Sequence, residues 1–263
     1  MRSFKLLILI LLALNLASSS EADNINNNII NIAAVNPWVA VIASFIGGTN
    51  VHVTSIYDFN FKLNNNLDLN NLDKVIAVDA DDASKINIKL KNGVEVWYLF
   101  KDLSLNIEAA VLDPSMTPFV AQKIMTALAT WDASNYNYYQ RRLAEFQTRL
   151  SSSVLVGKQL LNGAKIYLNL EDESAMNLYN LFIAAGCEIL SGDLNNSQAV
   201  VVTVNYNYNK QGKRKAKNLN KNIFEFKRPE LLNAENSYNI DYPAYLHDLY
   251  IALWNIINND KAN

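Results

Sequence analysis

VLDPSMTPFVAQKIMTALATWDASNYNYYQRRLAEFQTRL, residues 111–150, is the stretch whose reading decides the fold. Tyr136, Tyr139, Leu143, Phe146 and Leu150 recur at three- and four-residue intervals. An α-helix turns once in about 3.6 residues, so this spacing puts all five on one face. Phe119, Ile124, Leu128 and Trp131 make a similar apolar stripe in the helix before it. Asp132 stands just ahead of the second helix, where its carboxylate is expected to cap free N–H groups. The pattern predicts two packed amphipathic helices and says nothing about chemistry.

Outward from this pair, strands alternate with helices. Ile29–Val35 is apolar and β-branched enough for a buried strand, Val39–Ile46 reads as a short helix closed by Gly47-Gly48, and Val51–Tyr57 alternates as a second strand. Lys74–Val78 reads as a strand and Asp79–Ser84 as a loop, while Phe59–Leu72 is asparagine-rich and fits no element clearly. Lys91-Asn92-Gly93 between Ile86–Leu90 and Val94–Leu99 is a hairpin signal. Beyond the long helix, Ala164–Leu168, Glu188–Leu190, Val200–Val204 and Ile223–Phe226 read as strands, with a helix around Ser174–Ala185. A closing helix from about Tyr242 to Ile257 carries Tyr245, Leu249, Leu253 and Ile256 on one side. This alternation argues for an α/β fold.

The 263 residues suffice for one large domain or two lobes with a substantial core. Half of them are hydrophobic and the net charge is −2, so no global charge draws the chain to nucleic acid. Asparagine supplies roughly one residue in seven, a bias read as genome base composition. Residues 1–22 read as a cleavable secretory signal, with Arg2 and Lys5 ahead of apolar Leu6–Leu16 and small residues near Ser19 to Ala22. The apolar run falls short of the roughly 20 residues a membrane span needs. No cysteine follows it to carry a lipid anchor, and a periplasmic destination fits best. Cys187 is the only cysteine, so no internal disulfide forms, and its setting reads as core packing.

The order of these segments resembles the TroA-like substrate-binding proteins that feed zinc or manganese to ABC transporters. The stretch 111–150 is similar to that family's "LDP, apolar helix, DP-x-N, Y, long helix". Asn36-Pro37-Trp38 through Gly47-Gly48, then Val51–Ile56, resembles its opening strand, helix, "GG" turn and second strand. Asn177-Leu178-Tyr179 through Gly186, and Tyr245–Asn255, resemble two further segments. The resemblance implies two α/β lobes bridged by a long backbone helix, with ligand bound between them. It divides the chain into a signal peptide (1–22), an N-terminal lobe (23–134), a linking helix (135–155) and a C-terminal lobe (156–263). It also implies a noncatalytic, monomeric, exported protein that delivers its ligand to a membrane permease.

The family's histidine ligands are missing. The place of the first falls by Asp58-Phe59-Asn60, the second on Ala109 beside Glu108, and the third on Ala175 near Glu173. The fourth, an aspartate in the family, falls near Asn233–Glu235. Asp58, Glu108, Glu173 and Glu235 are therefore the candidate metal ligands, an oxygen-rich set that suits manganese better than zinc. His52 and His247, the only histidines, match no ligand position. Asn36 and Trp38 follow the first strand, at the kind of strand end where α/β proteins bind ligands, and with Asn60 they are the candidate cleft residues. A small organic ligand, or a degenerate member kept as a structural or interaction protein, is the alternative. The basic run Lys210–Lys221 reads as a solvated loop, and no phosphate loop, G-x-S-x-G or H-E-x-x-H marks an enzyme.

Overall fold

The computed structural model describes residues 29–64, 67, 71–86, 93–169, 172–190, 199–204, 222–229 and 240–259. The signal segment, the basic run, Glu235 and all but Ile86 of the expected strand Ile86–Leu90 lie outside these residues.

The described chain builds two four-stranded parallel sheets. The first takes β1 (Ile30–Ala34), β2 (Val51–Ser55), β3 (Lys74–Ala77) and β4 (Glu95–Tyr98) in the order β2-β1-β3-β4. The second takes β5 (Lys165–Tyr167), β6 (Glu188–Leu190), β7 (Val200–Val204) and β8 (Ile223–Phe226) in the order β6-β5-β7-β8. β4 is thus a parallel neighbour of β3, with Ile76 opposite Trp97. The helices are α1 (Pro37–Gly47), α2 (Ala80–Ser84), α3 (Ile107–Leu112), α4 (Thr117–Trp131), α5 (Tyr136–Leu161), α6 (Glu173–Met176), α7 (Tyr179–Ala184) and α8 (Tyr242–Asn259). The architecture is α/β, two lobes joined through the long α5.

β1 is central because it is apolar on both faces. Ile32 and Ala34 join the main core, whereas Ala33 and Val35 face Val75, Ala77 and Ile56 on the other side. α1 is buried nearly all round, as a helix without a polar face must be. Asn36, extended at its N-cap, accepts the Trp38 amide proton at 2.9 Å, and Pro37 at the first turn needs no partner for its nitrogen. Tyr139, Leu143, Phe146 and Leu150 of α5 are buried as their spacing predicts, and the helix packs against α8, α4 and α1; Tyr242, Leu246, Tyr250 and Leu253 of α8 are fully enclosed. Tyr242 stacks on Phe146 with centroids 6.0 Å apart, and the Ser153 hydroxyl donates to the Pro243 carbonyl at 2.7 Å.

Three expectations are corrected. Residues 80–84 are a helical turn, not a loop, because the Asp79 carboxylate caps it by accepting from the Asp82 amide at 2.8 Å. The helix expected around Ser174–Ala185 is split into α6 and α7. Asp132 does not cap α5: a 3-10 turn, Ala133–Asn135, intervenes, and the carboxylate accepts from Ser134, Asn135 and Tyr139 side chains.

Candidate functional site

Parallel strands direct their carboxyl ends to one edge, and a crevice opens where neighbouring strands send their connections opposite ways. In the order β2-β1-β3-β4 that switch lies between β1 and β3. Their ends lead to Asn36 and to Val78-Asp79, and both line a cleft of about 520 Å³. The second sheet brings its own carboxyl edge to the same space. Glu173, Ser174 and Asn177 follow β5, Arg228 follows β8, and all four line the cleft. The start of α3 completes the wall with its N-cap Asn106 and with Glu108 in its first turn.

The polar groups are organised in two sets. On the N-terminal lobe, Asp82 accepts from the Val78 amide at 3.0 Å and faces the Lys85 ammonium at 3.6 Å. Burial pushes the Asp82 carboxyl above its usual range, with the Val78 amide and Lys85 pulling the other way. The second set spans the lobes. Glu108, in the first turn of α3, accepts both prongs of the Arg228 guanidinium: Nε to Oε1 at 2.5 Å and a terminal nitrogen to Oε2 at 2.6 Å. Asn177 donates to the same Oε2 at 3.3 Å and accepts from Asn106 at 3.1 Å. The Glu108 and Arg228 side chains are only 15% and 11% exposed. Deleting one member of such a pair leaves the other's charge poorly solvated.

The structure thus brings Asn36, Glu108 and Glu173 to one cleft. Glu173 is exposed and without a side-chain partner among the described residues. Asp58 is off the wall. Its carboxylate accepts from the Asn60 and Lys62 amides at 2.8 Å each, a tight turn that places Phe61, at φ 57°, on the cleft instead of Asn60. Trp38 is a core residue below the cleft, edge-on to Phe59 at 4.8 Å and 6.2 Å from Tyr242. His52 is exposed on β2, and neither histidine lines the cleft. Among the described residues no three His, Cys, Asp or Glu side chains converge as metal ligands. Arg228 was not anticipated from the sequence, although it stands just past a strand end, as Asn36 does.

No family model matches the chain, and no curated protein matches it in sequence. Solved structures do match it in shape. The substrate-binding protein FpvC of P. aeruginosa, in complex with Ni2+, superposes with a TM-score of 0.63 at 14% identity, over 89% of this chain and 98% of that one. A Mn-bound periplasmic metal-binding protein of Candidatus Liberibacter asiaticus gives 0.58 at 12%, over 87% and 99%. ZnuA gives 0.59 at 13%, over 87% and 99%. At such identities the likeness is one of architecture, and it agrees with the two parallel sheets and the long helix. The chain has the fold of the TroA-like substrate-binding proteins.

Proposed function

We propose that this protein is an exported, noncatalytic solute-binding protein that carries its ligand in the interlobe cleft and hands it to an ABC-type permease. The observation that carries the reading is the cleft itself, lined from both lobes at the carboxyl edges of both sheets. The matched structures are of periplasmic or substrate-binding proteins and support the same role. A signal segment at 1–22 and a periplasmic destination accord with it. Among the described residues no helix is long and apolar enough to cross a membrane.

The ligand this cleft suits is a small polar organic molecule. A volume of about 520 Å³ lies within the range of small-molecule pockets, roughly 300–1,000 Å³, and far exceeds a bare ion. Its wall holds carboxylates at Asp79, Asp81, Asp82, Glu108 and Glu173, amides at Asn36, Asn106 and Asn177, and cations at Lys85 and at Arg228, the last paired with Glu108. That mixture fits a solute bearing charges of both signs. A second reading is a divalent cation, manganese before zinc, and it is favoured by the Mn-bound and Ni2+-bound structures of the same fold. Its donors would come from Glu173 and from Glu108 released from Arg228, with Glu235 the further acid that the family spacing nominates.

One experiment separates them. Mature protein purified without chelator or affinity metal is examined by native mass spectrometry and by elemental analysis. A bound organic mass, lost on Glu173→Ala or Asn177→Ala, supports the first reading. Stoichiometric manganese or zinc, lost on Glu173→Ala, supports the second. Neither species, even after loading with metal and a panel of polar solutes, overturns the solute-binding role.

A further inference from the structure

We infer that Arg228 is a built-in cation of the cleft, whose pairing with Glu108 holds the two lobes together without any ligand. The partners lie 120 residues apart, Glu108 on α3 of one lobe and Arg228 just beyond the edge strand β8 of the other. The pair is bidentate, a geometry that a planar guanidinium matches and an ammonium does not. Both side chains are largely withdrawn from water, where the attraction is least screened.

The backbone around Arg228 is set up for this task. Pro229 follows it, which steers Arg228 away from helical backbone and toward extended conformations. The Tyr245 hydroxyl donates to the Lys227 carbonyl at 2.9 Å, tying the strand's tail to α8. Glu108 is fixed as well: Asn106 caps α3 by accepting from the Ala109 amide at 3.1 Å while its own amide reaches Asn177. Both lobes therefore present their half of the contact ready-made. The Asn180 amide donating to Asp113 at 2.7 Å, and the Tyr242 hydroxyl donating to the Val111 carbonyl, continue the same seam behind it. A bare cation seeking Glu108 would have to displace a guanidinium already seated on both oxygens.

The inference goes beyond the solute-binding role and stands or falls separately. The test places spin labels at Lys101→Cys and Lys165→Cys, exposed positions on either lobe, in a Cys187→Ala background. Pulsed electron resonance reads the interlobe distance, and hydrogen exchange reads the amides of α3. The parent is expected to give one distance distribution, the same with chelator as with added Mn2+. Arg228→Gln and the isosteric Glu108→Gln should each broaden it toward longer distances. Each should speed α3 exchange about tenfold, the factor set by a loss of about 1.4 kcal/mol. The double variant should add little to either single one.

Singles indistinguishable from the parent would overturn the inference, as would effects that simply add. So would a parent whose lobes shift on Mn2+ binding through Glu108, a result that leaves the solute-binding role intact. If Arg228→Gln fails to fold, Glu108→Gln, which keeps the Asn177 contact, carries the same comparison. Failure to find any solute leaves the distance measurement unaffected.

Discussion

Tyr139 donates its hydroxyl to Asp132 at 2.7 Å, so the first turn of the long helix is tied to the chain just beyond α4. The same carboxylate gathers Ser134 at 2.6 Å and Asn135 at 2.7 Å. Burial acts to raise the Asp132 carboxyl, but these hydrogen bonds outweigh it and leave it below the usual range. A depressed carboxyl contributes stability that is present above the unfolded value, about 3.9, and lost as pH falls through the folded one. Asp132→Ala is therefore expected to lower stability at neutral pH by about 1–3 kcal/mol, because it strands the Tyr139 hydroxyl. The gap between variant and parent should shrink below about pH 4. Urea unfolding at several pH values checks this, and a gap that widens in acid would contradict it.

The alkaline side involves the tyrosines. Burial pushes Tyr139, Tyr242, Tyr245 and Tyr250 above the usual phenol range, with the Asp132 charge adding to the effect at Tyr139. A raised phenol contributes stability that is complete below the unfolded value, near 10, and lost as pH climbs toward the folded one. In an ultraviolet titration, four of the thirteen tyrosines should remain protonated until the protein unfolds. A titration in which all thirteen ionise together near pH 10, with the fold intact, would contradict this.

Cys187 gives a third check. Burial pushes its thiol up to about 12, and its sulfur faces the Leu161 carbonyl at 3.8 Å. A thiol reagent at pH 8 should modify it only as fast as the protein opens, and at once in denaturant, since the thiolate is the reactive form. Immediate modification of the native protein would place this residue at the surface.

Apolar periodicity was readable from the sequence, and single polar partners were not. The five-residue stripe of α5 is buried except at Tyr136, where the helix begins beyond the reach of the core. Phe119, in the matching stripe of α4, is exposed beneath the Lys123 ammonium, 5.5 Å from the ring centroid. The turn at residues 80–84 carried a signal that went unused: Asp79 three residues before Asp82 is a capping pattern. Strand-end logic placed Asn36 on the cleft, and the family spacing placed Glu108 and Glu173 near it. Arg228 escaped because its meaning depends on a carboxylate 120 residues away, which no local window contains.

Gly157 supplies the last test, of how closely α5 and α8 approach. It is buried near the C-terminal end of α5, and a Cβ there would lie 2.8 Å from two carbons of the fully enclosed Tyr250 ring. Helix propensity alone favours alanine over glycine by about 1 kcal/mol. Overpacking against an enclosed aromatic ring costs about 1–3 kcal/mol and should win, because Tyr250 is fully buried among packed neighbours. Gly157→Ala is expected to lower the urea midpoint with an unchanged slope. Replacing Tyr250 by leucine in that background should cost less than the same replacement in the parent, since it relieves the clash. A midpoint raised by Gly157→Ala would mean that the two helices are further apart than this contact requires.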